Sequence, residues 1–183
     1  MVSNKETKAK ITEAFLDIYA NSGPKNVTVG RIAKKAGVNR CTFYNYYTGM
    51  SELQSEIEDA LILDLEKKLT MSLSNHNNSE IHFLFSKFVD SFDSFGNTLY
   101  ALCNKNNTTG FRKRIKKTFQ EHFERIYRNK ITSYKLNYIS AYAISGAFGM
   151  MDYWYESGKS MSTDEFLKLL HNLISTGVSN ITE

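Results

Sequence analysis

One proline, Pro24, stands in a chain of 183 residues, and glycine occurs only ten times. Both residues interrupt helices, proline because it lacks an N–H and clashes with the preceding turn, glycine because it loses the most backbone freedom on folding. With 42% apolar residues and no segment that alternates as a strand does, the chain is expected to be all-α. Its length suits one domain of ordinary size or a small module joined to a larger one, and in either case it allows a real core.

Apolar spacing divides the chain into helices. Ile11, Ala14, Phe15, Ile18 and Tyr19 make one buried stripe, ended by Ser22-Gly23-Pro24. Thr28 caps the next helix, with Ile32 and Ala33 inward and Arg31, Lys34 and Lys35 outward, and Gly37 supplies a left-handed stop. Asn39 caps a short helix to about Tyr47, in which Phe43 and Tyr47 face the core while Cys41, Thr42, Tyr44 and Asn45 face outward. A long fourth helix starts at Ser51 and carries Leu53, Ile57, Ala60, Leu61, Leu65 and Leu69.

Beyond the polar SNHNNS segment, helices are expected at Ile81 to Phe92, Thr98 to Cys103 and Phe111 to Ile126, with Asn104 to Gly110 a loop. The outer face of the last of these holds Arg112, Lys113, Arg114, Lys116 and Lys117, which reads as a solvated helix face. Tyr134 to Ser157 is rich in small residues and closes at Gly158, so it suits close approach by a second helix. A capping box, Ser162 with Glu165, opens a last helix ending near Gly177. These two helices are the expected homodimer interface, with Ala147 and Leu170 facing the partner.

Charge is unevenly spread. Residues 1 to 50 hold 8 Lys/Arg against 3 Asp/Glu, and the remainder 15 against 16. No acid lies between Asp17 and Glu52, a window containing Lys25, Arg31, Lys34, Lys35 and Arg40. Such a window suits a polyanion such as nucleic acid. The spacing of Ala33, Gly37 and Phe43 is that of a helix-turn-helix, in which the small residue lets two helices cross, glycine turns the chain, and the aromatic plugs the recognition helix into the core.

Other function classes find little support. Cys41 and Cys103 are far apart and are read as reduced thiols, and His76, His82, His122 and His171 show no metal-ligand spacing. No phosphate loop or nucleophile elbow is present, so no enzyme, cofactor or metal is expected. The polar start MVSNKETKAK lacks a signal-peptide core, and no stretch offers about 18 uninterrupted apolar residues, so no membrane contact and a cytoplasmic location are expected.

The run TVGRIAKKAGVNRCTFYNYYTGMSEL resembles the N-terminal signature of TetR-type bacterial transcription regulators, and the match extends to about residue 55. The later segment AISGAFGMMDYWYESGKSMSTDEFLKLLHNLI looks like C-terminal domains of low-GC bacterial members, a dihydroxyacetone-operon activator group among them. The resemblance implies a three-helix DNA-binding head over residues 1–48 and a helical regulatory, ligand-binding and dimerisation body over 49–183. It also implies a homodimer on double-stranded operator DNA that answers a small-molecule effector, most simply as a repressor.

Carried over by position, Arg40, Cys41 and Thr42, after the cap Asn39, fall where base edges are read; Thr28, Tyr44 and Tyr46 fall on phosphate contacts, and Asn45 reaches either. The body's aromatics Phe88, Phe92, Tyr100, Phe123, Tyr138 and Tyr142 are candidates for the effector site. Met50 departs from the family pattern, since a phosphate-binding lysine usually stands there. That departure keeps a second reading open, a coactivator of the same fold working through a partner regulator.

Overall fold

The computed structural model describes residues 4–73, 100, 102–103, 110–129 and 131–179. Its helices are α1 (Asn4–Ser22), a short 3-10 turn (Pro24–Asn26), α2 (Val29–Ala36), α3 (Arg40–Tyr44), α4 (Met50–Leu73), α5 (Phe111–Tyr127), α6 (Ser133–Glu156) and α7 (Thr163–Ser179). No strand occurs among the described residues. The helix expected at Ile81 to Phe92, with Phe88 and Phe92 in it, lies outside the described residues, as does most of the expected loop at Asn104 to Gly110.

The first three helices form a small bundle: α1 packs on α2, and α2 on α3. Ile11, Phe15, Ile32, Phe43 and Tyr47 are all but inaccessible at its centre. An ion pair of 2.6 Å from Lys35 to Asp17 ties α2 to α1, and the lysine holds the Asp17 carboxyl below the usual carboxylate range. Lys8 of α1 reaches Glu56 of α4 at 2.8 Å, and the Tyr47 hydroxyl donates to the same carboxylate at 3.1 Å. The long α4 is thereby fastened to the bundle at its start. From there α4 packs on α5, α5 on α6, and α6 on α7, around Phe119, Phe123, Phe148, Trp154 and Phe166.

Local signals land where the residues put them. Thr28 Oγ1 accepts from Arg31 N, Asn39 Oδ1 accepts from Thr42 N at 2.6 Å, and Gly37 is left-handed at φ 68°. Ser162 and Glu165 exchange hydrogen bonds as a capping box should. Three details differ. α3 ends at Tyr44, because Asn45 N and Tyr46 N bond back to Thr42 O and Phe43 O and tighten the chain into a turn. Ala60 is exposed, and the buried place on α4 goes to Glu58, bonded by Gln54. α7 passes Gly177 and continues to Ser179.

The expected dimer face also needs correction. Ala147 and Leu170 are buried inside their own subunit, since those sides of α6 and α7 are used against each other and against α5. What α6 exposes instead is a file of Tyr134, Tyr138, Tyr142, Ser145, Gly146, Gly149 and Tyr153. Leu169 and Leu173 are exposed apolar residues of α7.

Candidate nucleic-acid interface

The outer face of α3 is built from the cap upward. Asn39 turns its side-chain oxygen inward onto Thr42 N and Thr42 Oγ1, at 2.6 and 3.0 Å. The first turn of α3 is thus fixed before anything binds. Phe43 and Tyr47 anchor it from below, their ring centroids 5.7 Å apart. Above them Arg40, Cys41, Tyr44 and Asn45 are exposed, and Thr42 is half-buried. Tyr44 meets Phe43 edge to face at 5.6 Å and is 55% exposed, so its ring is set against the core residue while about half of the residue stays accessible.

Thr28 is exposed at the start of α2, with its oxygen accepting from Arg31 N at 3.3 Å. Tyr46 is only half-exposed and packs against the core, which leaves it less of its surface for a partner than Tyr44 has. Met50, the first residue of α4, also packs against the core.

The acid-free window separates into two kinds of cation. Arg31 is engaged internally, donating to Asn26 O at 3.0 Å, and Lys35 is paired with Asp17. Lys25, Lys34 and Arg40 are exposed and have no ion pair among the described residues. Lys34 is an outward cation of α2 that position-by-position resemblance passes over, although its place on the polar side of an amphipathic helix was visible in the spacing. Cys41 is an exposed free thiol on the same face.

In the body, two of the six aromatic candidates, Phe88 and Phe92, lie outside the described residues, and the other four stand in three different settings. Tyr138 and Tyr142 stand on the exposed file of α6, Phe123 is fully buried, and Tyr100 stacks on Tyr155 at 3.9 Å. A cleft of about 390 Å³ between α4 and α5 is lined instead by Glu66, Leu69, Thr70, Thr118, Glu121, His122, Arg125 and Arg128. Arg125 donates to His122 Nδ1. Burial, and then the neighbouring Arg125 charge, bring the His122 pKa down to about 4, so the ring is neutral at pH 7. Burial pushes the Cys103 thiol up, which makes it an inert core residue.

The basic run of α5 is only in part the solvated face expected: Lys113, Arg114 and Lys117 are exposed, while Arg112 and Lys116 are half-buried. Arg112 forms a two-point ion pair with Asp152 of α6, at 2.9 and 2.7 Å, and also donates to Cys103 O at 2.9 Å. Its guanidinium lies 5.0 Å from the Phe148 ring centroid, and Lys116 is 5.3 Å from the same ring. Arg114 pairs with Asp59 and approaches the buried Glu58. No helix among the described residues is long and apolar enough to cross a membrane.

Residues 11–57 match the model of bacterial regulatory proteins of the tetR family, and residues 79–176 match a transcriptional regulator C-terminal region. No curated protein matches the chain. Among solved structures, a TetR transcriptional regulator from Streptococcus agalactiae 2603V is 18% identical, with a TM-score of 0.68 over 93% of this chain and 94% of that one. SmeT, the repressor of the Stenotrophomonas maltophilia multidrug efflux pump SmeDEF, is 14% identical, with a TM-score of 0.76 over 94% and 91%. The fatty acid degradation regulator FadR from Bacillus halodurans is 16% identical, with a TM-score of 0.73 over 92% and 94%. At these identities the structures speak to the fold, and the fold agrees with what the two sequence models say together: the chain belongs to the TetR family of bacterial transcriptional regulators.

Proposed function

We propose that this regulator is a homodimeric repressor that binds operator DNA through α2 and α3 and releases it when a small molecule occupies the body. Residues 1–48 form the DNA-binding head and residues 49–183 the regulatory body. The observation that carries the reading is the outer face of α3. It is capped, anchored, free of acids and flanked by cations that have no ion pair among the described residues.

Within that face Asn39, Arg40, Cys41 and Thr42 lie at the end of the recognition helix that enters a major groove, where a Thr methyl meets a thymine methyl and Arg bonds guanine or phosphate. Thr28, Tyr44 and Tyr46 are placed for phosphate oxygens, and Asn45 for either. Dimerisation would use the exposed file of α6 with Leu169 and Leu173, and would set two heads at the spacing of successive major grooves, about 34 to 36 Å. A ligand that prefers another spacing shifts the population away from DNA. SmeT, which shares the fold, is a repressor, and that supports the direction of control.

Two measurements test this. A mobility shift on the DNA upstream of the chain's own coding sequence should show a specific complex; absence of any shift favours the coactivator alternative, in which a partner regulator makes the contact. Sedimentation should show a dimer that Leu173→Glu splits while far-UV circular dichroism stays helical. A monomeric wild type rules the arrangement out.

A further inference from the structure

Gly30 is the second residue of α2, and nothing in its backbone requires glycine, since its φ is not in the left-handed range. A glycine there weakens the helix relative to alanine. What the missing side chain allows is an approach by Arg40 of α3. A methyl group at position 30 would stand 2.7 Å from Arg40 Nη2, 3.3 Å from Cζ and 3.4 Å from Nε. The guanidinium therefore lies on the bare backbone of α2, across the turn that joins the two helices. No carboxylate among the described residues pairs with it.

That location matters because the two helices of such a motif do different work: the first crosses the DNA backbone, and the second puts its N-terminal side chains against base edges. Arg40 is rooted on the second and rests on the first. We propose that Gly30 is a positioning residue that holds Arg40 on the backbone-crossing helix, so that Arg40 grips a phosphate and leaves base reading to Cys41 and Thr42. The inference rests on the DNA-binding reading and reassigns Arg40 within it. Any side chain at position 30 releases the guanidinium, and because only the flexible end of Arg40 has to move, the fold survives.

The test uses the full chain, as wild type, Gly30→Ala, Arg40→Ala and the double variant. The probes are the duplex the wild type selects from a random library and its single-base variants. In DNA-free protein, Gly30→Ala should shift the Arg40 Nε–Hε resonance and leave the melting temperature unchanged or higher. On DNA, Arg40→Ala should flatten the slope of log K against log salt by about 2 per dimer, at about 0.9 for each phosphate that is no longer neutralised, with base preference unchanged. Gly30→Ala should flatten it similarly, and the double variant should match Arg40→Ala.

The proposal fails if Arg40→Ala relaxes preference at one base pair roughly fivefold or more, since that is the mark of base reading. It fails equally if Gly30→Ala acts as strongly without Arg40, or leaves slope and resonance unmoved. A wild type that selects no duplex overturns the DNA-binding reading and this role together, whereas a failure confined to the variants leaves DNA binding standing.

Discussion

Two basic stretches in this chain carry the same number of cations and put their arginines to different uses. Between Lys25 and Arg40 the head carries five cations with no acid among them, and all but Lys35, which pairs with Asp17, end without an ion pair among the described residues. Between Arg112 and Lys117 the body also carries five, and its two arginines are taken up by Asp152, Asp59 and Glu58. A count of positive charge cannot tell these apart. What distinguishes a surface for a polyanion from internal cement is whether the fold supplies carboxylates to the same cations.

The largest way to break this comparison is at Arg112. Both partners of its ion pair are only 18% exposed, so Arg112→Ala leaves Asp152 poorly solvated and without its partner. Urea unfolding should show a loss of about 3 kcal/mol, with DNA affinity, measured where the variant is folded, nearly unchanged. Lys34→Ala is the mirror experiment in the head. It should change stability by less than about 0.5 kcal/mol and weaken binding to every duplex alike. If Lys34→Ala destabilises as much as Arg112→Ala, or Arg112→Ala abolishes DNA binding in folded protein, the contrast between the stretches is false.

A middle-sized effect is expected at Tyr44. Its hydroxyl has no partner among the described residues, while its ring is set against Phe43. Tyr44→Phe should therefore leave the unfolding midpoint in place and cost roughly 1 kcal/mol of DNA binding per subunit, as for one hydrogen bond. Equal losses on operator and random duplex mark a phosphate contact; a loss on operator alone would put the hydroxyl on a base.

The same contrast explains what could be read in advance. Thr28, Gly37, Asn39 and the Ser162–Glu165 box act over three or four residues, and each took the place its chemistry assigned. The buried Phe43 and the exposed Cys41 and Tyr44 follow from helical periodicity, whereas Thr42, expected outward, is half-buried, and Asn45 and Tyr47 take their expected sides in the turn past the helix end. Contacts across tens of residues are different: Arg112 with Asp152 and Arg114 with Asp59 depend on which helices become neighbours, and no local pattern states that. Likewise α6 is apolar almost all round, so periodicity could not say that Ala147 points inward and Tyr138 outward. Nothing local in the sequence makes Arg40 the neighbour of Gly30, since that contact also depends on how α2 and α3 cross.

The smallest effect sharpens the boundary between the two regions. Met50 opens α4, and it packs part of its side chain against the core at the position where the resemblance to TetR-type regulators implies a phosphate-binding lysine. Met50→Lys should cost little stability, because a lysine stem can cover the same apolar surface while its ammonium stays in water. On DNA it should add one phosphate contact per subunit and steepen the slope of log K against log salt by about 2 for the dimer, at about 0.9 per neutralised phosphate. Affinity should rise on operator and on random duplex alike, since a phosphate contact carries no sequence information. Isotherms at several salt concentrations decide the matter. An unchanged slope would mean that α4 begins away from the backbone and that the DNA-facing surface ends with α3, whereas a gain on one sequence alone would place position 50 against a base.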